Sequence, residues 1–345
     1  MSWRRLLAAG LLALAGIAAQ AGPMSPISPE QQRSVEQTFL TYPEWFLVHS
    51  PAEYAHYVAA QPTHGFPFLR HVGQLWSSYR AVTAEQLRAG YPANPGYHTM
   101  ICVIAGSTTV EYGLRSVYEN TVGRASWLLS SGRLTAEDRY GARAAQDYVD
   151  FIRREPWYRF DFMAKLKGLW FDTPLLGTDI VRKLERRYVL STEYLVKAAY
   201  GKMIELATRT AYTPAVPTTE VVVQSVPQDF APPENVRHLR TLQDDRAVLE
   251  LPRYADFRVA ATKLAEMNVK LVDIAGNDSV ILVTVLAGEH AAPALPPGAR
   301  MLFDQPIVTE PGRRRQALVL PVRELSQFLL DAPAAGLSVE HVYDY

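Results

Sequence analysis

From Ser28 to about Tyr212, apolar residues return every three or four positions, the spacing that gathers them on one side of an α-helix. Val35, Phe39 and Phe46 share such a face, as do Tyr148, Phe151 and Ile152. Leu195, Ala199, Met203 and Leu206 repeat the pattern near the end of this region. Helix starts are signalled where a Ser or Thr is followed three residues later by an acid or amide, because the two can satisfy each other's backbone N–H groups. Ser28 with Gln31, Ser50 with Glu53, Thr83 with Gln86 and Thr135 with Asp138 meet that rule. Gly90 stands where a left-handed helix stop belongs. The pattern predicts an all-α domain over residues 28–212.

The periodicity changes after Thr213. Pro214, Pro217, Pro227, Pro232 and Pro233 punctuate the chain, with one short strand-like run at Val221–Val223, so residues 213–240 read as a Pro-rich linker with an edge strand in it. Beyond it come strand, helix and strand at 247–251, 254–267 and 269–274. A further strand at 279–286 follows the turn Gly276-Asn277-Asp278, which suits a hairpin. Strands at 301–308 and 316–322 flank Pro311-Gly312. A short helix at 324–330 and a closing strand at 337–343 complete the order. Residues 241–345 are therefore expected to form a small α+β domain, readable as a ferredoxin-like sandwich with an inserted hairpin.

The N-terminus reads as an address. Arg4 and Arg5 precede the uncharged run Leu6–Ala19, and Ala19-Gln20-Ala21 places small residues where a signal peptidase cuts. Residues 1–21 are expected to be a signal peptide, with an uncleaved anchor and a buried first helix as alternatives. Export places the protein in the periplasm or on the outer face of the inner membrane if the source is Gram-negative.

Composition removes several function classes. The 345 residues carry 35 Lys+Arg against 35 Asp+Glu, which argues against a nucleic-acid partner. A single cysteine excludes an internal disulfide framework. Neither Gly-x-Ser-x-Gly, nor a Gly-rich phosphate loop, nor His-Glu-x-x-His occurs.

Candidate chemistry concentrates on residues 97–119. Met100–Ala105 is apolar all round, which predicts a central helix with Cys102 buried in it. His98 and Cys102, four apart, share a face and suit one metal ion, although two further ligands are needed. Glu111, Arg115 and Glu119 form an i, i+4, i+8 charge ladder. His71, His98, Glu111 and Glu119 are the candidate catalytic residues, and their test is convergence on one pocket. Glu53 and His56 match half of a di-iron motif that finds no second copy. No cofactor and no small-molecule ligand is assignable.

The aromatic and basic stretch from Trp157 to Phe171 points elsewhere. Trp157, Arg159, Lys165, Lys167 and Trp170, followed by Arg182, Lys183, Arg186 and Arg187, combine rings and cations as an interfacial helix on anionic lipid does. The competing reading is an aromatic core corner beside a solvated charged helix.

Ser107–Arg124 and Thr173–Lys202, with Tyr42–Trp45, resemble segments of an uncharacterised family of exported or membrane-associated bacterial proteins. The resemblance implies no activity, cofactor or catalytic residue. The sequence expectation is a cell-envelope binding or assembly module, more a binder than an enzyme, whose partner is the inner-membrane surface or an envelope protein. The alternative is an enzyme, metal-dependent or metal-free, with its site between helices.

Overall fold

The computed structural model describes residues 25–211, 217–289, 291 and 295–344. The signal-like segment and its Ala21-Gly22 junction lie outside the described residues, as do Tyr212–Val216 with Pro214. A helical half precedes a sheet half, as the periodicity predicts. Its main helices are α1 (Gln37–Ala60), α2 (Phe68–Ala89), α3 (Pro95–Tyr118), α4 (Arg124–Leu128), α5 (Ala136–Ile152), α6 (Phe162–Phe171) and α7 (Ile180–Ala211). A π-turn at Glu119–Gly123 joins α3 to α4.

Two local signals hold as read. Thr135 and Asp138 form a reciprocal capping box at the start of α5, and Gly90 ends α2 with φ +70°. The Ser50 and Thr83 signals do not start helices. α1 runs through Ser50-Pro51 and α2 through Thr83, because each hydroxyl motif lies where tertiary packing continues the helix. Ser50 turns its hydroxyl to His71 and Tyr112 instead. Ser28 gives its N–H and hydroxyl to Glu220 of the sheet half.

The expected linker contains structure. β1 (Thr218–Gln224) is an interior strand of a sheet ordered β2-β3-β1-β4, with β2 (Arg237–Thr241), β3 (Ala247–Pro252) and β4 (Lys270–Ile274). Pro217 precedes β1, and Pro227, Pro232 and Pro233 fall between strands, so no ladder bond is lost to them. A second sheet, ordered β6-β7-β5-β8, holds β5 (Val280–Gly288), β6 (Arg300–Pro306), β7 (Arg313–Pro321) and β8 (Ser338–Tyr343). The turn after β4 therefore passes the chain from one sheet to the other rather than closing a hairpin. α8 (Ala255–Glu266) and α9 (Leu325–Asp331) complete the half.

In place of one ferredoxin-like sheet, a βββαβ unit occurs twice. In each unit the first strand pairs antiparallel with the third and fourth, and the second with the third. Even the irregularities agree. The pairing of β1 with β4 skips Val272 and that of β5 with β8 skips Glu340; β2 skips Leu239 and β6 skips Leu302. A bulge is a specific departure from the ladder, so two in matching register identify a repeated unit. The register also superposes Leu249-Glu250-Leu251-Pro252 on Leu318-Val319-Leu320-Pro321.

Inward faces of both sheets share one core with α8 and α9, built from Val221, Leu249, Phe257, Val283, Leu320 and Phe328 among others. The outward faces differ. Val222 and Val248 of the first sheet are covered by Ile27. Leu282, Ala317, Val319 and Tyr343 of the second pack on Phe39, Tyr42 and Phe46 of α1 and on Leu75 and Val82 of α2. Thr38 fastens this joint by donating its hydroxyl to the Tyr343 carbonyl at 2.9 Å while accepting from the Leu282 N–H at 3.0 Å.

Candidate functional site

Three arrangements stand out: a polar chain at the joint between halves, an inverted pair of helices, and a cavity lined mainly by the helical half.

The polar chain lies where the second repeat departs from the first. The register places Thr284 where the first unit has Val222, His341 where it has Asp273, and Glu340 at the bulge occupied by Val272. Arg315 binds Glu340 through two nitrogens at 2.7 and 2.8 Å and Glu53 through the third at 2.9 Å. His49 reaches Glu340 at 3.4 Å and the Tyr343 hydroxyl at 3.3 Å. His71 faces Glu53 at 3.5 Å and shares a 2.9 Å hydrogen bond with Ser50.

The two carboxylates on Arg315 are driven apart. Burial raises Glu340, but Arg315 and His49 outweigh it and hold the group at about 2. Burial prevails at Glu53, which is raised despite Arg315. Burial also lowers His71 to about 3 and His49 to about 4, with Arg315 adding to both. Ser50, His71 and Glu53 have the connectivity of a nucleophile relay. Two facts make the chain structural instead. The Ser50 hydroxyl is buried and bonded to Tyr112 at 2.8 Å. A base held neutral down to about pH 3 accepts a proton poorly at neutral pH.

The inverted helices are α3 and α7. On α7, Arg182, Lys183, Arg186 and Arg187 are buried, whereas Val181, Leu184, Tyr188, Leu195 and Val196 are exposed. Arg182 pairs with Asp138 at 2.8 Å, Arg186 with Glu119 at 3.0 Å, and Arg187 with Glu137 at 3.0 Å. The Lys183 ammonium donates to the Pro174 and Leu176 carbonyls. These four cations thus do not form the lipid-facing cluster that their sequence suggested. They are internal because α7 turns its charged side to acids on the π-turn and α5.

On α3, Ile101 and Ala105 are buried, but Met100, Val103, Val110, Leu114 and Val117 are exposed. Cys102 is exposed too, contrary to expectation. The run is apolar all round because one side meets the core and the other is left open. From Pro95 to Val122 every exposed residue is uncharged. Leu128 and Leu129 at the end of α4, Phe171 at the end of α6, and Leu175 and Leu176 in the loop after it are exposed as well.

The Trp157–Phe171 stretch is divided between core and surface. Trp157 packs on Tyr200 with ring centres 5.3 Å apart, and Phe160 and Phe162 pack on Tyr148. Arg159 pairs with Glu155 and Lys165 with Asp147. Lys167 is exposed, as are Trp170 and Phe171. The Trp170 N–H donates to Ser191 at 3.0 Å.

The cavity, of about 440 Å³, lies among α1, α3, α5 and α7 and the loop after α5. Charge meets it in a square. Arg115 lies 3.3 Å from Glu193 and 3.6 Å from Glu111; Lys197 lies 2.8 Å from Glu193 and 3.2 Å from Glu111. Burial would raise Glu193, but Arg115 and Lys197 outweigh it and hold the group at about 2. Lys197 is raised, the two acids overcoming its burial. All four residues line the cavity and none is fully buried, Glu111 being the most exposed. Around them stand Trp45, Tyr54, Tyr148, Trp157, Phe160 and Tyr200, with Tyr254 entering from the sheet half.

The four catalytic candidates do not converge. His71 belongs to the polar chain, Glu119 to Arg186, and only Glu111 lines the cavity. His98 takes the Tyr79 hydroxyl at 2.8 Å, which also lies 3.8 Å from Cys102. His98 and Cys102 do share a face, but among the described residues no group of three His, Cys, Asp or Glu is gathered for a metal ion. Sequence reasoning missed Glu193, Lys197 and Tyr254. The i, i+4 spacing of Glu193 and Lys197 was the available signal.

No described protein family, curated protein or solved structure is matched by this chain.

Proposed function

We propose that this chain is an exported, membrane-proximal assembly module whose helical half rests on the apolar zone of a membrane through α3, α4 and α7. The observation that carries the reading is the inversion of α7. A soluble helix turns its cations to water and its Leu and Val inward. Here buried arginines are neutralised pairwise while Val181, Leu184, Tyr188, Leu195 and Val196 of the same helix are left open, and α3 likewise exposes Met100, Val103, Val110, Leu114 and Val117. Open apolar surface of that extent marks a partner or a membrane. α3 alone offers about 36 Å of such face. Lys167, Trp170 and Phe171, exposed on α6 beside α7, suit headgroup depth, where rings and long cations settle. Among the described residues no helix is long and apolar enough to cross a membrane, so the reading is of a protein lying on the bilayer rather than spanning it.

The chain's only cysteine is exposed on α3, beside this face, and serves as a reporter there. A polarity-sensitive fluorophore on Cys102 is expected to shift to the blue when phosphatidylcholine vesicles are added. Unchanged emission at saturating lipid contradicts the reading.

A further inference from the structure

We infer that the cavity of the helical half is a binding site for an uncharged, hydroxyl-bearing ring compound, a saccharide of two or so rings. Its volume of about 440 Å³ lies in the range of small-molecule sites, and Tyr254 brings the sheet half to its wall; such sites concentrate where domains meet.

The ligand's charge follows from the square. Each of Glu111, Arg115, Glu193 and Lys197 already has two opposite partners within 2.8–3.6 Å. An ionic ligand would have to displace one of them, leaving a charge unpaired beside Arg115, Glu193 and Lys197, which are themselves about four-fifths buried, where that is costly. A hydroxyl needs no displacement. It donates to a carboxylate and accepts from an ammonium or guanidinium at once. The Ser107 and Thr108 side chains add to the same wall.

The ligand's shape follows from the rings. Tyr148, Trp157, Phe160 and Tyr200 line the cavity, and flat ring faces suit the C–H face of a sugar ring while the square takes its hydroxyl edge. A simple acyl chain would satisfy the rings and leave the square facing hydrocarbon, which is unfavourable.

Tyr254 supplies an independent pointer. It lines the cavity from the turn between β3 and α8 with φ 63° and ψ −133°, a region that a bulky side chain enters only under constraint. Strained backbone of this kind gathers at binding sites. The Arg253 guanidinium lies 5.0 Å from the Tyr254 ring centre, and Arg253 itself is anchored to Asp344. The strained turn thus presents a ring to the cavity mouth and holds it there.

The test is calorimetric titration of the full chain with cellobiose and N,N′-diacetylchitobiose, beside oleate and dodecyltrimethylammonium as charged probes. At least one disaccharide is expected to bind with Kd at or below about 1 mM. Trp157→Leu, which keeps an apolar side chain, and Glu111→Gln, which removes one acceptor from the cavity wall, are each expected to weaken it about tenfold. Their melting curves verify that both variants fold. No binding by either disaccharide up to about 10 mM, binding that both variants leave unchanged, or preference for a charged probe overturns the inference.

Discussion

Arg182 is wholly shielded from solvent, while the residue before it, Val181, is 50% exposed. That reversal between neighbours sets the character of the helical half. Arg182 is compensated by Asp138 at 2.8 Å and Glu185 at 3.1 Å, and it also donates to the Gly123 carbonyl at 3.0 Å. Its burial is therefore tolerable only while those partners stay.

Asp138→Ala is accordingly expected to destabilise the fold by about 3–5 kcal/mol, because it removes a partner of a buried cation and the N3 half of the α5 capping box. Leu184→Ala, on the open side of the same helix, should change stability by less than about 0.5 kcal/mol. Urea unfolding of both variants checks the contrast, and equal losses would contradict it.

The joint between the halves should make stability depend on pH. His49 and His71 have folded pKa values lowered to about 4 and about 3. Between those values and about 6.5, the unfolded chain binds more protons than the folded one, so stability falls as pH drops through that window. Each histidine contributes about 1.4 kcal/mol per pH unit there. Glu340 and Glu193, both held at about 2, add a further loss below about pH 4.5. Unfolding free energies measured from pH 7 to 4 should fall steadily, and His71→Gln should flatten the slope. A pH-independent stability would contradict this assignment.

Tyr254→Gly separates strain from packing. Glycine adopts the observed backbone angles freely, so relief of strain is expected to offset the lost ring contacts and leave the melting temperature at or above that of the parent chain. A drop of about 5 °C or more would show that the ring serves the fold rather than the cavity.

Much of the architecture was legible because it rests on local rules. The Thr135 box and the Gly90 stop are written in single residues, and the strands after Ala247 stand out as short apolar runs bounded by turn residues, buried on both faces in β5 and β7. The inversion was not legible. Leu195, Met203 and Leu206 have helical spacing whichever way they point, and they are exposed. Periodicity marks a face without saying whether core or something outside the chain covers it. The repeat of the βββαβ unit was hidden for a related reason: Thr284, Glu340 and His341 stand where the first unit has Val222, Val272 and Asp273, so the two units differ most where the second meets α1. Glu111 could be picked out as a charged residue on α3, but its partner Lys197, and the Glu193 that completes the square, come from α7 and reach it only through packing.

Because the open face carries no cations from Pro95 to Val122, membrane binding should depend on apolar burial rather than on lipid charge. Affinity for neutral phosphatidylcholine vesicles should match that for vesicles with anionic lipid within about threefold, and should survive high salt. Sedimentation with vesicles at low and high salt checks this. Binding that needs anionic lipid would return the surface to its basic residues.

The most direct measurement is flotation of the chain from Gly22 onward, free of the Leu6–Ala19 run, on phosphatidylcholine vesicles beside its Leu114→Glu, Leu184→Glu double variant. Both leucines are exposed, Leu114 at 68% and Leu184 at 51%, so the variant should fold with an unchanged melting temperature. The parent is expected to float with the vesicles and the variant to stay in the soluble fractions. A parent that does not float, or a folded variant that floats as well as the parent, would contradict the membrane role of this face.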